Sequence, residues 1–249
     1  MSRILIAGES WITATTHTKG VDEFTAHSYT EGVAQLRTAL EAGGHEVVHL
    51  PAHLVSTQFP ETPEQLGEYD VVVLSDIGVN SLQLSPGVFE HSVPGRDRVQ
   101  ELASWVRAGG ALLMIGGYLS FSGWQGRAGF ARTEIEAVLP VELLVGDDRV
   151  ERPAGVVATV VDAAHPALGG AEGEWPALLG YNRTVVKPGA VELARVGGDP
   201  LVVVGEAGEG RTAVFTSDCS PHWAPPAFCE EWPGYARVFQ GLVSWLTSR

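Results

Sequence analysis

Along the first half of the chain, short apolar runs closed by glycine alternate with amphipathic stretches. Arg3-Ile4-Leu5-Ile6-Ala7-Gly8 is such a run and predicts a buried first strand. A polar stretch follows from Glu9 to Ser28, rich in Thr with two His, and its length predicts a functional loop. From Thr30 to Ala42 the apolar residues Val33, Leu36, Ala39 and Leu40 fall at helical spacing, and Gly43-Gly44 supplies a stop. His45 to Leu50 predicts a second strand, a short helix comes next, and the nearly all-apolar Tyr69 to Ser75 is the third strand. Asp97 to Ala108 places Val99, Leu102, Ala103 and Val106 on one helical face before Gly109-Gly110, and Ala111 to Ile115 is the fourth strand.

The second half has a different rhythm. Thr133 with Glu136 three places on caps a short helix to Leu139. Glu142 to Val145, Gly155 to Val161 and Thr184 to Val196 predict strands of an antiparallel extension. Leu201 to Gly205 and Arg211 to Thr216 flank the turn Glu206-Ala-Gly-Glu-Gly210 and predict a hairpin. Tyr235 to Leu246 closes the chain with a helix whose apolar face is Val238, Phe239, Leu242, Val243 and Leu246. The expected architecture is α/β: a flavodoxin-like three-layer sandwich with a mostly parallel sheet and right-handed crossovers. A β-rich extension over roughly residues 140–200 belongs to the same single domain, residues 1–249.

Composition narrows the function classes. The 249 residues can bury a sizeable core without disulfides or metals. With 30 acidic against 16 basic residues the formal charge is -14, and the basic residues form no patch, so nucleic acid and anionic membranes are not expected partners. No apolar run is long enough to span a bilayer and the N-terminus lacks signal-peptide character, so a cytoplasmic location is expected. Two cysteines, Cys219 and Cys229, make no disulfide framework. A homo-oligomer is expected on general grounds, and the aromatic stretch Trp223 to Trp232 suits either an interface or a cover for the site.

In a parallel sheet, ligands bind outside the carboxyl ends of the strands, so the residues after each predicted strand are the candidates. After the first strand these are Glu9 and Ser10, and after the third, Ser75 and Asp76. The fourth is followed by Gly116, Gly117 and Tyr118, where a glycine pair lets backbone approach a ligand closely. That segment is neither a dinucleotide fingerprint nor a Gly-x-Ser-x-Gly elbow. The last strand ends in Thr216-Ser217-Asp218-Cys219-Ser220-Pro221-His222-Trp223. There Cys219 could act as a nucleophile with His222 as base and Asp218 orienting it. The same loop equally suits a structural or binding role, or supplies metal ligands if a second cluster completes them. Asp162 to Pro166 and Tyr181-Asn182-Arg183 are positioned to fold back over the strand edge. No cofactor or metal is called for.

With these segments placed, the chain resembles the class I glutamine amidotransferase-like superfamily, and within it the branch labelled putative glutamine amidotransferase. The resemblance rests on Met114 to Phe121, Leu139-Pro140-Val141, His165-Pro166, Gly208 to Arg211 and Phe215 to Trp223. The last two features short of the final motif, His-Pro and Gly-x-Gly-Arg, are shared with trehalose-utilisation-like proteins. The resemblance implies a Cys at the elbow after the central strand, and a His and a Glu two places apart after the last. Here the Cys position falls on Gly117 or nearby, the His position near Thr216 and the Glu position near Asp218. Without the elbow thiolate no glutamyl thioester forms. Two functions are therefore expected. One is an amidotransferase-like enzyme acting on a small polar substrate, and the other a non-catalytic small-molecule binding or assembly module on the same fold.

Overall fold

A computed structural model of the chain describes residues 1–171 and 173–248. Numbering only the strands of the main sheet, the parallel part is β1 (Arg3–Gly8), β2 (Glu46–Leu50), β3 (Val71–Ser75) and β4 (Ala111–Ile115). The second half adds β5 (Ala158–Val160), β6 (Val191–Val196), β7 (Asp199–Ala207) and β8 (Gly210–Phe215). The sheet order is β2-β1-β3-β4-β8-β7-β6-β5. Every neighbour pair from β2 to β8 is parallel, and β7, β6 and β5 then continue the sheet antiparallel. This is the flavodoxin-like arrangement, with β8 in the fifth parallel position and the predicted extension widening the sheet. Two short ladders stand beside it, Leu178–Asn182 on Arg149–Val156 and Thr184–Val186 on Val141–Leu143.

The central strands are largely apolar because both faces are covered. Ile4, Ile6, Val71, Val73, Leu113 and Ile115 pack on one side against helices α1 (Ala34–Ala42) and α5 (Gly234–Thr247). Leu5, Ala7, Val72, Leu74, Leu112 and Met114 pack on the other against α2 (Ala52–Gln58), α3 (Arg98–Arg107) and α4 (Glu134–Val138). Helix α3 forms where sequence predicts it: Asp97 accepts hydrogen bonds from the Val99 and Gln100 amides, and Arg107 lies in the last turn. Its buried Leu102 and Val106 contribute about 2 kcal/mol each through apolar burial. The cap predicted for α4 is present, with the Thr133 side chain accepting from the Glu136 amide.

Two expectations are corrected. The segment after β1 is not a loop but an antiparallel hairpin, Ser10–Lys19 on Asp22–Glu31, paired residue for residue and almost wholly exposed. Helix α1 accordingly starts at Ala34 and not at Thr30, because Thr30 and Glu31 complete the hairpin. Within the Trp223 to Trp232 stretch, Trp223 and Phe228 are buried, and Trp232 packs on Trp175 and Phe228. Among the described residues no helix is long and apolar enough to cross a membrane.

Candidate functional site

The carboxyl ends of β1, β3, β4 and β8 meet on one rim. Gly8 pairs with Ser75 across β1 and β3, and the Glu9 amide donates to the Ser75 carbonyl at 2.8 Å. Both chains then turn through left-handed backbone at non-glycine residues, Glu9 (φ 48°) and Asp76 (φ 43°). Such conformations cost roughly 1–3 kcal/mol each and persist only where the surroundings hold them. Here they aim two carboxylates inward from adjacent strands. The Gly116 amide donates to the Phe215 and Ser217 carbonyls, which locks the β4 turn onto the end of β8.

Glu9 forms the floor of the site and is 1% exposed. Ser75 Oγ donates to one of its oxygens at 2.5 Å and Ser220 Oγ to the other at 2.8 Å. Burial, reinforced by the charges of Asp218 and Asp76, pushes its carboxyl up to about 8, and the two serine hydroxyls offset only part of this. Asp76 sits higher and is raised to about 6, again by burial first and Asp218 second, while the Leu119 amide (2.7 Å) and His222 pull it back. Burial thus raises two neighbouring carboxyls toward neutrality, the range from which acid and base roles are drawn.

Above this floor stands His222, whose side chain is 42% exposed. Its Nδ1 lies 3.3 Å from Asp218 Oδ2, and that bond raises its pKa, with the Asp218, Asp76 and Glu151 charges adding to it against burial. The ring meets Tyr118 edge-on at 4.5 Å and stacks on Trp223 at 5.4 Å. Tyr118 Oη and Trp223 Nε1 both donate to Glu151, at 3.0 and 3.1 Å, and Arg149 lies over the Tyr118 and Trp124 rings. The rim is therefore a carboxylate floor walled by aromatic rings.

Cys219 does not fit the role of nucleophile. Its thiol is fully buried and lies 3.6 Å from Ser75 Oγ. Burial, followed by the charges of Glu9 and Asp218, raises its pKa well above the ordinary thiol value, which is the opposite of thiolate activation. His222 Nδ1 is engaged with Asp218, and no bond joins the ring to the Cys219 thiol. Both cysteines are free and buried. Ser10 also stands apart from the carboxylates: its Oγ accepts from the Ala52 amide and ties the hairpin base to α2. Glu9, Asp218 and Cys219 each bring a potential metal-ligand atom within 4.8 Å of one another. Each donor is already engaged, Glu9 by two hydroxyls, Asp218 by Ser220 and His222, Cys219 by Ser75.

Sequence reasoning missed a second tier that holds the β4 turn. The Gly117 amide donates to Asn182 Oδ1 at 2.9 Å, and Asn182 Nδ2 donates to Asp148 Oδ1 at 2.8 Å. Asp148 in turn accepts from the Ser122 and Gly123 amides, and Ser120 Oγ accepts from the Asp76 amide. Asn182 does fold over the strand edge as the motif reading allowed; Asp148, Ser120, Ser220 and Glu151 carried no such signal. Because Asn182 is fully buried, Asn182→Ala leaves the Gly117 amide and Asp148 each short of a partner. We expect a loss of about 2–3 kcal/mol, read in a thermal melt as a fall in Tm of roughly 5–10 °C.

A doubly wound α/β sheet with a polar rim at the carboxyl ends of its strands is thereby defined. The chain belongs to the family described as "Putative glutamine amidotransferase", which matches residues 3–248. A cytoplasmic protein of Salmonella typhimurium is 40% identical, with a TM-score of 0.94 over 99% of both chains. A second, from strain LT2, is 42% identical with a TM-score of 0.94 over 99% of this chain and all of that one. A ThuA-like protein from Bacteroides uniformis, 11% identical, shares the fold over 99% of this chain and 91% of its own, with a TM-score of 0.59. Among curated proteins no sequence matches.

Proposed function

We propose that this chain binds a small polar molecule at the rim and does not hydrolyse glutamine through a thioester. The observation that carries this reading is the elbow after β4. A Cβ on Gly116 would lie 2.2 Å from the Thr216 carbonyl oxygen, and one on Gly117 would lie 2.8 Å from Asp76 Oδ1. The third elbow residue, Tyr118, turns toward Glu151 and His222. The volume a nucleophilic side chain needs is taken by Asp76 and by the end of β8, so the amidotransferase thiol is excluded sterically as well as absent.

What the rim offers instead is the Asp218–His222 pair beside Asp76, over a Glu9 that is largely protonated at neutral pH, within an aromatic wall. This combination suits a hydroxyl- or amide-bearing ligand: rings cover its apolar face while carboxylates and imidazole meet its polar edge. In the enzymatic version His222 is the general base, oriented by Asp218, and Asp76 the second ionisable group. In the binding version the same groups serve recognition only. The exposure of His222 and the offset carboxyls favour the first. Residence in the cytoplasm is inferred from the Salmonella relatives.

Ammonia release from L-glutamine, combined with iodoacetamide labelling of the native protein, tests the central point. No glutamine turnover is expected, and no modification of Cys219 until the chain is unfolded. Glutamine turnover that disappears in Cys219→Ser would sink the reading.

A further inference from the structure

The hairpin that leaves the rim at Glu9 is unlike the rest of the molecule. Its strands are each ten residues long, twice the length of the core strands β2, β3 and β4, and apart from Ser10 every residue in them is exposed. Trp11, Ile12, Phe24 and Tyr29 are between 41% and 59% exposed. At about 3.3 Å per residue such a ladder reaches some 30 Å from the body. A two-stranded hairpin with both faces in water is marginal by itself. Here the base is fixed: the Gly32 amide donates to the Glu9 carbonyl, Ser10 accepts from Ala52, and Tyr29 meets His53 edge-on. Among the described residues nothing covers the remainder.

The hairpin also lacks the features that keep exposed strands from pairing. It has no proline, and its register runs unbroken from Ser10–Glu31 to Lys19–Asp22. Its charged residues sit at the ends: Lys19, Asp22 and Glu23 at the tip and Glu31 at the base. From Trp11 to Thr18 and from Phe24 to Thr30 there is no charged Asp, Glu, Lys or Arg, in a chain of net charge -14. The middle of the hairpin is thus an uncharged surface through which two such acidic molecules can meet without strong repulsion. Its two strands also provide about as many residues as one side of a standard protein interface, roughly 20–30.

We propose that the hairpin is an association arm whose partner is a second copy of this chain, met through the exposed edge or face of its uncharged middle. The inference does not depend on how the rim functions. The test is sedimentation velocity of the full chain beside a variant in which residues 13–28 are replaced by Asn-Gly, which keeps the Ile12–Tyr29 pair and the base contacts. The wild type is expected at twice the chain's mass or a higher multiple, and the shortened variant at the mass of one chain with an unchanged melting temperature. A wild type that sediments as one chain throughout, or a shortened variant that keeps the wild-type assembly, overturns the proposal. Thr15→Cys provides a check that removes nothing: both native cysteines are buried, so a short bismaleimide should join chains through the arm. Failure of that variant to form cross-linked dimers at concentrations where the wild type is assembled also counts against it.

Discussion

Gly8→Ala is expected to destabilise the protein by about 3 kcal/mol or more, whereas Gly20→Ala should cost only about 1. Both glycines have positive φ, +106° at Gly8 and +65° at Gly20, so the backbone penalty for an L side chain applies to each. Their surroundings separate them. A Cβ on Gly20, at the tip of the hairpin, meets nothing within 4 Å, while one on Gly8 would lie 2.0 Å from the Ser75 carbonyl oxygen and 2.9 Å from Ile77 Cβ. The first of these is a backbone atom that no rotamer change can move aside. Accommodating the methyl means parting β1 from β3 at Gly8–Ser75 and stretching the bond from the Glu9 amide to the Ser75 carbonyl. The same displacement takes Glu9 away from Ser75 Oγ, so the damage falls on the floor of the site as well as on the sheet. Urea unfolding of the two variants measures this, and equal losses would show that close strand approach is not what Gly8 provides.

The same contrast explains how much of the molecule was legible beforehand. Strands β1, β3 and β4 are read easily because a strand covered on both faces is nearly continuously apolar, and residues 71–74 are apolar without a break. Helix α3 is read because its cap and its apolar face agree. The arm was not read, because a ladder in water on both faces has no hydrophobic alternation to display. Its Thr-rich strands on either side of Gly20 were the available signal, since threonine's branched Cβ suits extended backbone. At the site, the residues immediately following strands could be proposed from topology alone, and the rim joins Glu9, Ser75, Asp76, Gly117 and Asp218. Asp148 was out of reach: its partners Ser122, Gly123 and Asn182 come from distant parts of the sequence, and no local pattern marks a carboxylate that caps a turn so far away. The nucleophile role, one of several the loop's sequence allows, finds no support in the surroundings of Cys219 for a related reason. Closeness to His222 in sequence says nothing of burial, and burial decides thiol reactivity.

The pH dependence of stability should be weighted toward mild acid, and Glu9→Gln should remove its largest single part, above all the decline between about pH 6 and pH 8. Glu9 is raised on folding from 4.5 to about 8, and Asp76 and Asp148 from 3.8 to about 6, each with burial as the largest cause. In all three the unfolded chain loses its proton at lower pH than the folded one. Between the two values the native state holds more protons, so stability declines as pH rises, from about 4 to 6 for the aspartates and from about 4.5 to 8 for Glu9. His222 acts in the same direction: with its folded pKa raised, its contribution is complete below the ordinary histidine value and is lost as pH climbs through the folded one. Asp147, held low by Arg149, works the other way and weakens the fold only on strong acidification; it lies near the surface, where screening keeps its contribution small. Glu9 should therefore supply the largest part of the slope, on the order of 3–5 kcal/mol across its window. A glutamine there can still accept from Ser75 or Ser220 and carries no charge at any pH. At about pH 8 the variant should be the more stable protein by roughly 2 kcal/mol or more, and at about pH 5 the difference should vanish or reverse. Urea denaturation of both proteins at the two pH values reads this directly. A difference that stays constant between them would mean that Glu9 is ionised throughout, and the protonated floor proposed for the rim would have to be abandoned.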